Sequence, residues 1–358
     1  MATFQKGQEL ASALTEKEMA HLWSVVLQTY RDANNKINDD LAKIYAKYLS
    51  TVDKQDYYNI MIQYDRLQKL QNQIAKEYAD ASKKAGKIIA KSSQLGFTNT
   101  FYREQFTLTY FAPSDIGMTF SILNPAIVQS SVFGTAELWK KIQSEAIIKR
   151  YGNPMQYMKQ GKTLTSLLVN HRYQEIEDIQ GIISAGLQLG DSYDVMTAKV
   201  HKVIGEELVK DGVKKLTGAK ANAARIVQTE GTRNLNAGFS ASLHDAQNQG
   251  LGIEKEWLTA LNNSRDTHKT ANRQRVPLGD NFIVGSAEGM FPGQMSTVGE
   301  NANCHCSHIA IVDGVEPQLQ RARNPVTGQN EVFSYKDFDK WAANNGLVPD
   351  KDGMLSLK

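Results

Sequence analysis

Two cysteines, the only ones among the 358 residues, stand two positions apart in the segment Asn303-Cys304-His305-Cys306. A disulfide between them would close a very small, strained ring, so the pair is not predicted to be a disulfide scaffold. If the segment is extended, both thiols lie on the same face of it. The pattern is therefore typical of two metal ligands or of two reduced, buried thiols.

Zinc binding is the sharpest chemical hypothesis for this pair. Cys304 and Cys306 would supply two thiolates, and two histidines would complete a tetrahedral shell: His268 with either His305 or His308, of which we take His308 as the candidate. The Cys-x-Cys spacing is less common in zinc sites than Cys-x2-Cys, so reduced, half-buried thiols are the simpler interpretation. A nucleophilic Cys/His pair is less favoured still, because the sequence identifies neither an oriented base nor an acceptor site.

A row of polar residues upstream falls on a predicted helix from about residue 220 to residue 248. Glu230, Arg233 and Asn236 follow one another at three-residue steps, so they share one face of that helix, and Thr229 precedes them. Such a row can carry acid–base chemistry, or it can attach the helix to the strands that follow. Attachment is favoured, because no nucleophile or second carboxylate accompanies the row.

The polar row and the residues after it resemble the Mu-F-like family of tailed-phage minor head proteins, also called head morphogenesis proteins. The resemblance covers about residues 164–308. It departs from the family pattern at His305, where relatives have arginine, and at residues 271–274, where relatives usually have an Asp/Asn-Gly-Gln turn. The matching positions are Thr229, Glu230, Arg233, Asn236, Trp257, Arg265, Asp266, His268, Pro292, Gly293, Asn303, Cys304 and Cys306.

The resemblance implies a structural and assembly role in a virion, without enzymatic activity. It implies that the protein joins the head through the portal protein oligomer, lies in the capsid interior near the portal, and acts in head morphogenesis and in DNA packaging or ejection. Scaffold protein, major capsid protein and packaged DNA are the other partners that such a role allows. The protein would be made in the host cytoplasm. The resemblance does not depend on metal binding, and zinc, which is suggested by the cysteines and histidines alone, would be its one cofactor.

Two other classes of function stay open. Relatives of the family can carry enzymatic extensions, which suggests a toxin-like nuclease or ADP-ribosyltransferase, but the stretch after Val312 is too short for a typical additional catalytic domain. A DNA-binding module of the head would use two groups of lysines. Acidic residues interrupt these groups, so solvated helical faces are the better interpretation. The lysines are Lys83, Lys84, Lys87, Lys91, Lys199, Lys202, Lys210, Lys214, Lys215 and Lys220.

Composition sets broad limits on the protein. A chain of 358 residues with 41% hydrophobic residues predicts two domains, or one core with an elongated extension. No apolar run is long enough to span a bilayer, and the start lacks the apolar region of a signal peptide. With 41 basic against 38 acidic side chains, the chain is not predicted to be a dedicated polyelectrolyte binder.

The predicted fold is α+β and mainly helical, with four segments. Residues 1–95 form a long helical hairpin, whose first helix is capped at Thr15 and whose turn lies at residues 50–53; the hairpin is either a docking arm or simply two helices that bury each other. Residues 96–162 form an aromatic-rich connector of short irregular elements. An apolar stripe that includes Val26, Tyr30, Ile37 and Leu41 runs along the first helix of the hairpin. Residues 163–312 pack helices, predicted across about residues 164–248, on a small, mainly antiparallel sheet. The strand candidates of this sheet are residues 256–259, 281–284 and 308–312. Residues 313–358 form a polar, peripheral tail with one short helix at about residues 335–344.

Overall fold

The computed structural model describes residues 4–49, 64–113, 115–158, 164–189, 193–205, 207–210, 213–259, 264–312, 322–323, 330–331 and 336–358. Most of these residues are helical, and the strands between the helices are short and antiparallel, as predicted. The helices are α1 (Phe4–Leu49), α2 (Tyr64–Phe111), α3 (Pro125–Phe133), α4 (Ala136–Ile142), α5 (Glu145–Tyr151), a 3-10 turn (Pro154–Tyr157), α6 (Leu164–Leu189), α7 (Tyr193–Ile204), α8 (Gly218–Asn248), α9 (Asp266–Ala271), α10 (Val298–Asn301) and α11 (Lys336–Asn344).

The strands form one three-stranded sheet and four hairpin pairs among the described residues. In the sheet, β3 (Ile253–Leu258) lies between β4 (Arg275–Pro277) and β7 (Ser307–Val312), and both neighbours run antiparallel to it. The pairs are β1 (Glu207–Lys210) with β2 (Val213–Leu216), β5 (Phe282–Val284) with β6 (Ala287–Gly289), β8 (Ala322–Arg323) with β9 (Asn330–Glu331), and β10 (Leu347–Pro349) with β11 (Leu355–Leu357).

Contacts divide the chain into two compact units. The first unit comprises Met1–Leu22, Ala90–Leu164 and Val227–Lys358, and the second comprises Trp23–Ile89 and Thr165–Ile226. Each unit therefore takes its residues from stretches that are far apart in sequence. The bounds of these two units differ from the bounds of the four predicted segments. The four segments remain a prediction.

An aromatic core holds the first unit together. Phe97 and Phe101 on α2 pack with Tyr151 and Tyr157, and these residues meet α8 at Ala237 and the loop residue Phe291. All of these side chains are almost completely buried. Burial of each large aromatic side chain contributes about 1.5–3 kcal/mol, so this cluster is a main source of stability for the unit.

Polar pairs connect α1 and α2 within the second unit. Lys36 pairs with Glu77, and the amide of Gln73 donates to Asp40, so residue numbers rise on one helix as they fall on the other. Tyr78 also donates to Glu175 on α6. The apolar stripe predicted on α1 is buried here, with Val26, Tyr30, Ile37 and Leu41 all at most 4% exposed. Antiparallel packing of α1 and α2 confirms the predicted helical hairpin.

Both helices of the hairpin are longer than predicted. Thr15 lies inside α1 and donates to the carbonyl of Ala11, so the predicted cap at Thr15 is wrong. Helix α2 continues through Gly96 to Phe111, so irregular structure begins only after that point. Gly96 lies inside this helix, where a Cβ would lie 2.9 Å from the sulfur of Met19, so the glycine permits close packing and does not end the helix. The predicted turn at residues 50–53 lies outside the described residues.

Three further differences concern the strands and the tail. The sequence predicted three helices across about residues 164–248, and it did not predict the hairpin of β1 and β2 between the second and the third. Among the described residues, Phe282–Val284 pairs with β6 in a two-stranded sheet that is separate from the three-stranded one. The described tail residues 336–358 are not peripheral, because Phe338, Leu347 and Leu355 are buried in the aromatic core of the first unit. The short helix predicted near residues 335–344 is confirmed as α11.

Within the described residues, no helix combines the length and the apolar character that crossing a bilayer requires.

Candidate metal centre

The cysteine segment lies between α10 and β7 in the first unit. Cys304 and Cys306 are each 2% exposed, and both thiols are free. Asn303 before them has φ of 52°, a left-handed conformation that asparagine tolerates better than most residues. This turn leads the chain out of α10 and presents both sulfurs to the interior.

His268 on α9 meets the two sulfurs. Its Nδ1 lies 3.2 Å from the sulfur of Cys306 and 3.9 Å from the sulfur of Cys304. The three ligand atoms lie within 4.8 Å of one another, and all three residues are buried. The structure thus brings together three of the four residues predicted as zinc ligands.

Two residues that the sequence did not reveal complete this group. Glu300 on α10 lies 2.8 Å from Nε2 of His268, the nitrogen that faces away from the sulfurs. The hydroxyl of Thr259 lies 3.2 Å from the sulfur of Cys306. His268 therefore stands between a carboxylate and two thiols, with each ring nitrogen directed to one side. We call His268, Glu300, Cys304 and Cys306 the Cys-His cluster.

The members of the cluster shift one another's pKa. A hydrogen bond from the thiol of Cys304 favours the thiolate of Cys306 and lowers its pKa, and the contact with His268 acts in the same direction. The same pairing raises the pKa of Cys304, together with burial. The contact with Cys306 raises the pKa of His268, and Glu300 adds to that effect. The thiolate form of Cys306 is therefore favoured, and it lies next to the imidazole of His268, whose protonated form is also favoured.

Helix α8 holds the backbone of the cysteine segment through three side chains. The hydroxyl of Thr229 accepts from the amide of Asn303 at 3.0 Å, and Thr232 donates to the carbonyl of Cys304 at 2.8 Å. The amide of Asn236 donates to the carbonyl of Cys306 at 3.0 Å. These positions recur at three and four residues along α8. Sequence reasoning missed Thr232, although its spacing from Thr229 and Asn236 is helical.

The other two residues of the polar row attach α8 to a helix and not to a strand. Arg233 pairs with Glu230 at 3.0 Å and also donates to the hydroxyl and the carbonyl of Ser131 on α3. We predicted that the polar row attaches α8 to the strands that follow. The row does attach α8 to its surroundings, but Arg233 contacts α3 and not a strand. Only Asn236 of the three reaches the strand region.

The remaining motif residues surround the cluster in different ways. Trp257 is completely buried and meets the ring of His268 edge-on, with ring centres 5.7 Å apart. Arg265 donates to the carbonyls of Glu300 and Ala302, and so ties α9 to the segment before the cysteines. Asp266 is exposed and pairs with Lys269, so its carboxylate does not belong to the cluster.

The Pro-Gly turn serves packing against α8. Pro292 and Gly293 are buried, and Gly293 has φ of 89°. A side chain at Gly293 would lie 2.9 Å from the Cα of Arg233, so only glycine allows this close approach. The predicted Pro-Gly element therefore positions the loop after β6 and takes no part in the chemistry of the cluster.

His308 lies outside the cluster, contrary to the prediction. Its Nδ1 lies 3.1 Å from the side-chain oxygen of Asn236, and its ring stacks on Phe291. Burial lowers the pKa of His308 well below the usual value, so the ring is neutral. Because the amide of Asn236 already donates to Cys306, its oxygen accepts from Nδ1 of His308. His305, the other histidine considered, is exposed between the two cysteines.

Known proteins with similar sequences include two from different functional classes. Minor head protein GP7 of Bacillus phage SPP1 is 25% identical over 287 residues, which cover 79% of this chain and 80% of GP7. The NAD(+)–arginine ADP-ribosyltransferase EFV of Enterococcus faecalis (strain ATCC 700802 / V583) is 26% identical over 185 residues. That match covers 51% of this chain and 35% of EFV, so the chain spans about a third of the transferase. No protein-family model and no solved structure matches the chain.

Proposed function

We propose that this protein is a minor head protein of a tailed bacteriophage, of the Mu-F-like type, and that it acts as a structural component in head assembly. In this proposal it binds the portal protein oligomer, lies in the capsid interior near the portal, and contributes to DNA packaging or ejection. Scaffold and major capsid proteins are further candidate partners. The similarity to GP7 supports a role in the phage head. Binding to the portal is a more specific proposal that goes beyond this similarity.

The length of the match to GP7 is the observation that carries the proposal. The aligned region covers about four fifths of both chains, so the sequence similarity extends over most of each protein and is not confined to one segment. Helix α8 and the cysteine segment, which carry the motif residues, form one connected part of the first unit. A shared arrangement of this extent favours a shared structural role.

An enzymatic role is the alternative that the similarity to EFV raises. That match leaves about two thirds of EFV without a counterpart in this chain, so the activity in its name does not transfer with the match. The Cys-His cluster offers a thiol beside an imidazole and a carboxylate, but both cysteines are only 2% exposed. A nucleophile must reach its substrate, so this burial favours a structural use of the cluster.

Contact with packaged DNA has less support than the portal contact. Lys91 pairs with Asp350 and Asp352, which neutralise its charge locally. Lys220 is 5% exposed, so it does not present a charge to a phosphate backbone. Lys83, Lys84 and Lys87 are exposed on α2 and remain available for such a contact. A strong salt dependence of binding to duplex DNA would mark that role.

Portal binding is tested with the purified chain and with portal oligomers from the same phage. Both proteins are mixed at micromolar concentrations, and comigration is followed by sedimentation. Exposed apolar side chains serve as probes of the contact surface: Tyr173 on α6 is 60% exposed and Val298 on α10 is 79% exposed. Tyr173→Ala probes the surface of the second unit, and Val298→Ser probes the surface of the first. Lys141→Ala on α4 is the control, because it changes an exposed side chain that is not apolar.

Incorporation into heads is tested in a phage that lacks this gene. Complementation with the wild-type chain should restore infectious particles, and the protein should be found in purified heads by mass spectrometry. Absence from heads, together with failure to bind the portal, would overturn the proposal. Transfer of ADP-ribose from NAD+ to an arginine substrate by the purified chain would favour the enzymatic alternative.

A further inference from the structure

We propose that Cys304, Cys306 and His268 bind one Zn²⁺ ion, and that Glu300 positions His268 for this purpose. The proposal concerns the first unit alone and does not depend on the role in the phage head. It stands on the ligand distances, on the orientation of His268 and on the way α8 holds the cysteine segment.

The distances in the cluster fit a tetrahedron around zinc. With Zn–S bonds of about 2.3 Å and Zn–N bonds of about 2.0–2.1 Å, a sulfur and a nitrogen ligand lie about 3.6 Å apart. The two observed distances from Nδ1 of His268 are 3.2 Å and 3.9 Å, one on each side of that value. All three ligand atoms lie within 4.8 Å of one another, so small side-chain rotations bring them to ideal separations.

The orientation of His268 is the one that a zinc ligand requires. Zinc-bound histidine usually donates its other ring N–H to a carboxylate or a carbonyl, which fixes the tautomer and raises the basicity of the ligating nitrogen. Glu300 lies 2.8 Å from Nε2, so Nδ1 keeps its lone pair directed towards the sulfurs. The edge-on contact with Trp257 restricts rotation of the ring.

The backbone of the two cysteines is fixed by α8. The carbonyls of Cys304 and Cys306 accept from Thr232 and Asn236, and the amide of Asn303 donates to Thr229. Helices are rigid supports, and a binding site held by such elements keeps its ligands within narrow limits. The polar residues of α8 thus have a purpose in this proposal: they present both sulfurs to the same point.

Charge balance favours a soft divalent cation over reduced thiols alone. Cysteines that only fill a core pack against apolar groups alone, whereas this pair packs against apolar side chains such as Trp257 and Phe282 and also meets the imidazole of His268. Buried charged groups are costly unless they are paired or bound to a metal. Two thiolates neutralise one Zn²⁺, and thiolate and imidazole ligands suit zinc better than calcium or magnesium.

The ion would add a further link between parts of the fold that hydrogen bonds from Arg265 and Thr267 already join. His268 belongs to a six-residue helix after β3, and the cysteines lead into β7. A shared ion closes the chain between these points and pins the end of the three-stranded sheet. We therefore expect removal of zinc to loosen the region from Trp257 to Val312 and to lower its thermal stability.

Metal content of the purified, tag-free protein is the first test. Protein expressed in zinc-supplemented medium should contain close to one equivalent of zinc by elemental analysis. Cys304→Ser, Cys306→Ser and His268→Ala should each lose most of it. His305→Ala is the matched control, because His305 lies between the two cysteines in sequence but is exposed, and it should retain the full equivalent. Substitution with cobalt should give the strong thiolate-to-metal absorption of a two-sulfur site.

The positioning role of Glu300 has a separate readout. Glu300→Gln keeps all three ligands but weakens the partner of Nε2, so it should bind one equivalent at saturation with about 10- to 100-fold lower affinity in chelator competition. Glu288→Gln, an exposed change on β6, is the control and should leave the affinity unchanged. Equal affinity for wild type and Glu300→Gln would overturn the assignment of Glu300.

If the ligand variants do not fold, the melting temperature of the wild-type chain tests the zinc site instead. A strong chelator should lower the melting temperature, and added zinc should restore it. Metal-free protein whose melting temperature is unchanged by chelator or zinc, and which gives no cobalt spectrum, would overturn the site. Rapid alkylation of Cys306 in such metal-free protein would point to a reactive thiol instead.

Discussion

Glu230 and Arg233 form an ion pair one helical turn apart on α8, and their side chains are only 2% and 4% exposed. The pair does not face the sheet, because Arg233 reaches across to the hydroxyl and the carbonyl of Ser131 on α3. A buried ion pair contributes little net stability compared with apolar residues, but loss of one partner leaves a buried charge unpaired. The pair therefore fixes which surface of α8 meets α3.

Glu230→Ala should destabilise the first unit strongly. Removal of the carboxylate leaves the guanidinium of Arg233 buried with only neutral partners, which costs about 3–5 kcal/mol. Glu137→Ala is the matched control, because Glu137 pairs with Lys141 along α4 at an exposed position and should cost less than about 1 kcal/mol. Urea unfolding of both variants measures the difference. Equal costs would mean that the buried pair does not connect α3 and α8.

Gly238→Ala should be the most damaging of the helical glycine changes. A side chain at position 238 would lie 2.1 Å from the carbonyl oxygen of Phe97, so the backbones of α8 and α2 must separate. We expect a cost of at least about 3 kcal/mol. Gly181→Ala on α6 has open space around it and should stabilise by about 0.5–1 kcal/mol through helix propensity. Opposite signs in thermal unfolding would support the close contact of α2 with α8.

Glu104 should make stability depend on pH. Burial raises the pKa of Glu104 to about 8 from 4.5, and its neighbour is the neutral amide of Gln8 at 2.5 Å. A raised carboxyl pKa means that the folded state binds the proton more tightly. Its contribution is therefore fully present below pH 4.5 and is lost as pH rises through 8.

Glu104→Gln removes this proton uptake and should flatten the pH profile. The variant should be close to wild type at about pH 5 and more stable than wild type by over about 1 kcal/mol at pH 8, since one unit of pKa corresponds to about 1.4 kcal/mol. Glu137→Gln, which is exposed, should change neither value. A pH profile that is the same for Glu104→Gln and for wild type would contradict the prediction, because it would mean that Glu104 binds its proton equally in the folded and unfolded states.

Phe338→Ala should show that the tail belongs to the core. Phe338 is 4% exposed, meets Phe106 edge-on with ring centres 5.5 Å apart, and stacks on Trp341. Truncation of such an aromatic side chain costs about 3–5 kcal/mol. Leu357→Ala in β11 is the control, since Leu357 is 41% exposed. Similar melting temperatures for Phe338→Ala and wild type would restore the interpretation of a peripheral tail.

Helical periodicity made much of the fold predictable. The apolar stripe of α1 and the polar row of α8 are both regular, and both helices exist in the structure, although α1 begins well before the predicted cap at Thr15. The extension of α2 was missed because Gly96 was taken as a break in the helix. That glycine instead permits the close approach of Met19, a tertiary contact that has no signature in the local sequence.

The candidate site was predictable only in part. The scarce cysteines and the upstream His268 were predicted as candidate ligands, and the structure brings these three residues together. Helical spacing identified most of the row on α8 that holds the cysteine segment. His308 was misassigned because its proximity in sequence does not reveal that its ring bonds to Asn236. Glu300 could not be found, since α10 has only four residues and its place depends on contacts such as those from Arg265.

The interleaving of the two units has a consequence for biosynthesis. The first unit needs Ala90–Leu164 together with Val227–Lys358, and the second needs Trp23–Ile89 together with Thr165–Ile226. When half of the chain has been translated, neither core is therefore complete. Phe97 and Phe101 cannot be fully buried until α8 has been made. By these ranges the second unit is complete once Ile226 has been made, and the first unit only after most of residues 227–358 have followed, so folding of either unit starts late in synthesis. We expect the nascent chain to rely on chaperones until α8 has emerged, and to reach its native state only after synthesis is nearly finished.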